Sequence, residues 1–197
     1  MKTVTQLKPS PATLPNGEKV TLYQGSINLW TAFIYALLFF AAPPVYCYVW
    51  EDLPCLNITH LLTGFWSSYL LSMFVFALAA NLLISYLTLY FCNGRQTKAI
   101  RCYYNRTTIG YYSTRPVLLK RFRLYLLLPG ILTGALPFLH GLCTDNKSIY
   151  VFGMFGLIYA VNNTALYFKL RPFSSDDLLQ SEETGYFNTV IRRHYIK

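Results

Sequence analysis

The sequence predicts an all-α membrane protein, a bundle of about four transmembrane helices with a short β-like segment on its cytoplasmic face. Three observations carry this expectation. Of 197 residues, 54% are hydrophobic and only 13% charged, whereas soluble chains carry roughly a quarter charged residues. Four apolar runs are long enough to cross the hydrocarbon, which takes about 20 residues of helix. The net charge of +9 is concentrated in one link between two of these runs. Such a composition excludes a disordered chain, a disulfide mini-protein and an ordinary cytosolic domain. The chain divides into a polar N-terminal segment (1–27), a membrane bundle (28–171) and a polar C-terminal tail (172–197).

The first run, 29–50, holds no charged residue. Its Pro43-Pro44 pair is expected to kink or end the helix early and leave 45–50 near the interface. Trp30, Tyr46, Tyr48 and Trp50 sit near its ends, where aromatic belts belong. It starts after a polar stretch and is too long for a signal-peptide core, so it reads as a span. The second run, 61–92, is too long for one straight crossing and is either steeply tilted or broken near Ser72. The third, 124–142, is interrupted by Pro129 and Pro137, and the fourth, 149–170, is uncharged apart from Lys169. Small residues recur at four-residue steps: Gly64, Ser68 and Ser72; Ala77, Asn81 and Ser85; Gly130 and Gly134; Gly156, Ala160 and Thr164. In lipid such stripes mark close helix contact.

The stretch from Thr107 to Leu118, rich in Thr, Tyr and Ile, reads as one or two short strands, and Val20 to Tyr23 as another extended piece. Ser174 to Asp177 ahead of Leu178 reads as a helix start.

Charge placement orients the bundle. The link between the second and third runs carries Arg95, Lys98, Arg101, Arg106, Arg115, Lys120, Arg121 and Arg123, and no acid. With that link and both termini in the cytoplasm, the positive-inside rule is satisfied throughout. The localisation implied is an integral protein of a bacterial cytoplasmic membrane. The eight cations read as partners of anionic lipid head groups. Their position between two membrane runs argues against nucleic acid.

Polar groups at membrane depth are the default functional candidates. They are few: Asn81, Asn162, Asn163 and His140. No Asp or Glu lies between Asp52 and Asp145, or between Asp145 and Asp176, so the last three runs hold no carboxylate for acid or base work. A zinc hydrolase needs three protein ligands and a base. No HExxH occurs in the sequence. His140 and Cys143 have a ligand-like spacing without a third ligand. No catalytic residue, metal or cofactor is assigned. Of the five cysteines, Cys55 and Cys143 fall on the outer side in this topology, where an oxidising compartment would let them pair. Asn57 and Asn146 begin glycosylation sequons.

The layout resembles a family of small multi-pass membrane proteins, the zincin peptidases, similar in arrangement to site-2 proteases. The match runs from Leu14-Pro15-Asn16-Gly17, through the basic stretch Pro116 to Tyr125, to Leu127, Pro129, Gly130, Gly134 and Pro137. It continues with Gly153, Lys169, Pro172 and Gly185. The resemblance implies HExxH at the end of the second run and a Gly-Asp pair in the last. Here the first place reads Ala79 to Ser85, with Asn81 and Ser85, and the second reads Val161 to Thr164, with Asn163 where Asp is expected. An amide is a poor zinc ligand. The resemblance therefore implies the scaffold of a degenerate member, a pseudoenzyme, with Asn81 and Asn163 hydrogen-bonded across the former site. The function expected is non-catalytic binding of another membrane protein. The alternatives are a small-solute transporter or conduit, and a membrane enzyme of unrecognised type using His140, Cys143 or the tyrosines.

Overall fold

The computed structural model describes residues 19–23, 29–50, 70–104, 109–181 and 187–191. Its elements, in chain order, are β1 (Lys19–Tyr23), α1 (Leu29–Trp50), α2 (Leu70–Cys92), β2 (Ile100–Tyr104), β3 (Ile109–Ser113) and β4 (Val117–Leu118). They continue with α3 (Leu119–Cys143), α4 (Lys147–Leu170), β5 (Leu178–Ser181) and β6 (Phe187–Ile191). The four helices are each long and apolar enough to cross a membrane. Helix α4 is the hub, with α1, α2 and α3 packed on it and α2 packed also on α3.

The all-α expectation needs correction. Strands β1, β6, β5 and β4 form a four-stranded antiparallel sheet in that order, and β2 and β3 a separate hairpin. The sheet draws on three distant stretches: β1 precedes α1, β4 leads into α3, and β5 and β6 follow α4. Those helix ends therefore lie on one side of the bundle. The chain leaves α2 on the same side, because the Arg121 guanidinium donates to the Cys92 carbonyl at 3.3 Å and the Cys92 thiol to the Arg121 carbonyl at 3.2 Å. A buried cluster of Leu89, Val117, Leu119, Phe122, Leu126, Leu166, Leu170, Leu179 and Val190 joins sheet to helices. This packing is what makes strands of the two polar tails.

The helix start expected at Ser174 is absent from the C-terminal tail, where 171–177 form turns. Instead, the Asp177 carboxylate accepts from the Ser174 backbone N–H at 2.9 Å, closing a turn. The segment that follows, Leu178 to Ser181, pairs with β6 and β4 and buries Leu179. Side-chain capping of a turn competes with helix initiation, and here the buried strand partners decide it.

Pro43 and Pro44 do not end α1, which runs unbroken to Trp50. Each removes one backbone donor, and neighbouring helices hold the stretch that follows. The Tyr150 hydroxyl donates to the Ala42 carbonyl at 2.8 Å, the Tyr46 hydroxyl to Asp145 at 2.8 Å, and the Trp50 indole to the Leu142 carbonyl at 2.7 Å. These bonds clasp the far end of α1 to the α3–α4 turn, where the Asn146 side chain caps α4 by accepting from Ile149 N–H at 3.1 Å.

Nor do the prolines of the third run interrupt it. Helix α3 is continuous, with a π-helical segment over Gly130–Ala135 between Pro129 and Pro137. A proline ring collides with the carbonyl four residues earlier, here that of Thr133. A wider turn relieves that collision without breaking the helix. Of the second run, 70–92 is one helix; residues 61–69, with Gly64 and Ser68, lie outside the described residues. So do Leu14 to Gly17, Cys55, Asn57, Arg106, Gly185 and part of the Thr107–Leu118 stretch, whose remainder supplies β3 and β4.

The small residues of α3 and α4 do set a close contact. A Cβ at Gly130 would stand 2.6 Å from the Ala160 Cβ, and one at Gly134 2.8 Å from the Leu157 nitrogen. A Cβ at Gly156 would strike the Thr133 carbonyl, and one at Gly153 the Phe138 backbone. Backbone thus meets backbone along this pair, as lipid-embedded helices require where burial of apolar surface gives no drive.

Candidate functional site

The buried polar centre of the bundle lies where α2 crosses the π segment of α3. Asn81 is 7% exposed, and its amide donates to the Thr133 hydroxyl at 3.2 Å. The Thr133 hydroxyl, itself 1% exposed, donates to the Pro129 carbonyl at 2.8 Å. The Pro129 carbonyl sits at the start of the π segment, so a side chain covers the backbone group that the altered turn disturbs. Across from it, Gly156 of α4 lies against the Thr133 carbonyl. Three helices therefore converge on one threonine.

Ser85 is buried one turn beyond Asn81, and Thr88 donates its hydroxyl to the Ile84 carbonyl at 2.7 Å within α2. Asn162 and Asn163 are half-buried on α4. The partner of Asn81 is Thr133 rather than Asn163; among the described residues no hydrogen bond joins the two asparagines. A threonine one helix over is the nearer acceptor, which sequence order along α2 and α4 does not reveal. His140 is exposed on α3, its carbonyl accepting from Thr144, and Cys143 beside it is an exposed free thiol. Among the described residues, no three His, Cys, Asp or Glu side chains converge to hold a metal ion. Chemically, the centre consists of amide and hydroxyl groups that hydrogen-bond one another and carry no charge.

The basic side of the bundle is organised differently. Arg123 is an internal strut: its guanidinium donates to the carbonyls of Leu170 and Phe173 at 2.8 Å each, and more weakly to Arg171 and Ser175. It thereby caps the C-terminus of α4, where a cation also meets the negative end of the helix dipole. Arg121 does the same for α2 through Cys92. Arg115 is held by the Gln96 side chain. Lys98, Arg101 and Lys120 are exposed.

Above them stands a tyrosine-rich hairpin. Tyr103 lies over its cross-strand partner Gly110, where a Cβ would come within 2.7 Å of the phenol oxygen. Tyr111 meets Tyr86 of α2 edge to face at 5.4 Å, and the buried Tyr125 hydroxyl donates to the Tyr111 carbonyl at 2.8 Å. Desolvation pushes the Tyr111 phenol above its ordinary range, with Cys102 and Tyr86 adding to the shift.

Thr133 was not singled out in the sequence. The signal available was a hydroxyl residue between the two glycines' contact face and Pro137, within reach of Asn81 only once α2 and α3 are packed. No family model, curated protein or solved structure matches this chain.

Proposed function

We propose that this is a non-catalytic integral membrane protein on a zincin-peptidase-like scaffold, acting by binding another membrane protein, with both termini and the basic link in the cytoplasm of a bacterium. The observation that carries the reading is the unequal packing of α1. Its C-terminal half buries Ala42, Tyr46 and Cys47 against α4, while Trp30, Phe33, Ile34, Leu37 and Phe40 of its other half are exposed. Exposed apolar side chains are ordinary on a lipid-facing helix. The N-terminal half of α1, however, buries Thr31 and keeps Tyr35, Leu38 and Phe39 half-buried, so the surface offered to a partner helix is the face carrying Phe33, Leu37 and Phe40. The remaining helices are closed on one another by backbone contact and by the Asn81–Thr133 bond. The degenerate motif positions support the absence of peptidase chemistry: Asn81 is engaged in packing, and Ser85 and Asn163 are poor metal ligands.

The test is site-specific photocrosslinking in native membranes, with the probe at Phe33 or Leu37 and, as control, at the equally exposed Leu139 of α3. A single defined membrane protein crosslinked from α1 positions alone supports the reading. Equal or absent crosslinking from both sets, or chelator-sensitive peptide cleavage by the purified protein, overturns it.

A further inference from the structure

The eight cations of the basic link do not form one population. Arg121 and Arg123 are consumed as caps of α2 and α4, and Arg115 is tied to Gln96. The turn bearing Lys98 is fastened to the turn bearing Arg115, because the Ala99 carbonyl accepts from the Thr114 N–H at 2.9 Å and its hydroxyl at 3.2 Å. Arg101 follows on β2, and Lys120 opens α3. Lys98, Arg101 and Lys120 are exposed, and their side chains make no hydrogen bond or ion pair among the described residues. The hairpin they flank ends in Tyr104, which is 80% exposed, and Ile109, which is 45% exposed. It is fixed to the last turns of α2 by the Tyr86–Tyr111 contact. The hairpin therefore stands at the level where a span leaves the hydrocarbon, the depth that tyrosine favours.

We propose that hairpin β2–β3 lies on the bilayer as an interfacial anchor, with Tyr104 and Ile109 at the outer ends of its strands meeting the acyl-chain boundary, and that Lys98, Arg101 and Lys120 meet the phosphates of anionic phospholipids. Charge complementarity selects the ligand: these three cations, joined by Arg95, which is likewise exposed after α2 with no side-chain partner among the described residues, no acid in the link, and a continuous membrane surface that presents phosphodiesters. Arg121 and Arg123 do not take part. The inference is independent of the role given to α1.

The test uses the full chain in nanodiscs and in detergent. Each cation near an anionic surface is worth about fivefold in affinity, so K98Q/R101Q/K120Q lowers phosphatidylglycerol binding by about a hundredfold, while Arg121→Gln leaves it within about twofold. Phosphatidylcholine binds neither protein tightly, and inorganic phosphate does not displace the lipid if the bilayer headgroup is the ligand. Should the triple variant fail to fold, Arg101→Gln with a salt titration serves in its place, with about fivefold loss and screening by added salt. A spin label at Tyr104→Cys reports a lipid environment. Unchanged phosphatidylglycerol affinity in the cation variants, equal loss in Arg121→Gln, displacement by free phosphate, or a water-exposed label overturns the proposal.

Discussion

Asn81 and Thr133 are joined by a hydrogen bond of 3.2 Å that crosses from α2 to the π segment of α3, and Thr133 passes the chain of donors on to Pro129. The bond is directional in its consequences. Removing the amide leaves the Thr133 hydroxyl still donating to a carbonyl, whereas removing the hydroxyl orphans a buried amide.

Asn81→Leu therefore costs about 0.6 kcal/mol, the average for an interhelical hydrogen bond in lipid. Thr133→Val costs about 1–3 kcal/mol, because an unsatisfied buried donor remains. The double variant is less destabilised than the sum of the singles. Thermal unfolding in detergent checks all three.

Gly156→Ala places a methyl group against the Thr133 carbonyl, which belongs to backbone and cannot step aside. Its cost is about 2 kcal/mol or more. Gly130→Ala meets only the Ala160 methyl and is the milder change. The order of the two melting temperatures is the readout.

Arg123→Gln removes the cap of α4 and the tie to the turn before β5. Hydrogen bonds from a charged donor are worth about 1.5–3 kcal/mol, and Arg123→Lys does not restore them, since an ammonium lacks the planar fork that reaches Leu170 and Phe173 together. Limited proteolysis cuts the variant faster within 172–191.

Alkaline pH weakens the hairpin. The Tyr111 phenol is held above its ordinary range by desolvation, so the unfolded chain loses this proton first, near pH 10. Stability from this group is complete below that pH and falls as pH rises toward the folded value. Tyr111→Phe flattens the alkaline limb of a stability–pH curve.

The four spans were legible because the bilayer imposes a length and an apolar character that no other setting does, and α1 begins and ends at 29 and 50 as the composition indicates. The glycine face of α3 and α4 was legible for the same reason: Gly134 and Gly156 meet backbone, and Gly130 meets the Ala160 methyl, at the spacing the stripes carry. Half of the sheet was legible, since Val20 to Tyr23 and the Thr107–Leu118 stretch read as extended and supply β1 and β4, but its other half was not. Its strands β5 and β6 are too short and too polar to announce themselves, and they become strands only by covering Leu119, Leu126 and Leu170. The prolines misled because local rules treat a helix alone, while Tyr150, Asp145 and the Leu142 carbonyl hold α1 from outside. Thr133 escaped because its importance comes from the widened turn beneath it.

The strand order of the four-stranded sheet dictates a timetable for synthesis. Residues 19–23 leave the ribosome before any of the four spans and pair with 187–191, which leave it after all of them. Every span is thus threaded into the bilayer before β1 finds β6, and β4 likewise waits on β5, which follows the last span. A chain arrested after Leu170 and before 187–191 carries all four spans with a raw sheet edge on one face, a shape that degradation machinery can tell from the paired sheet.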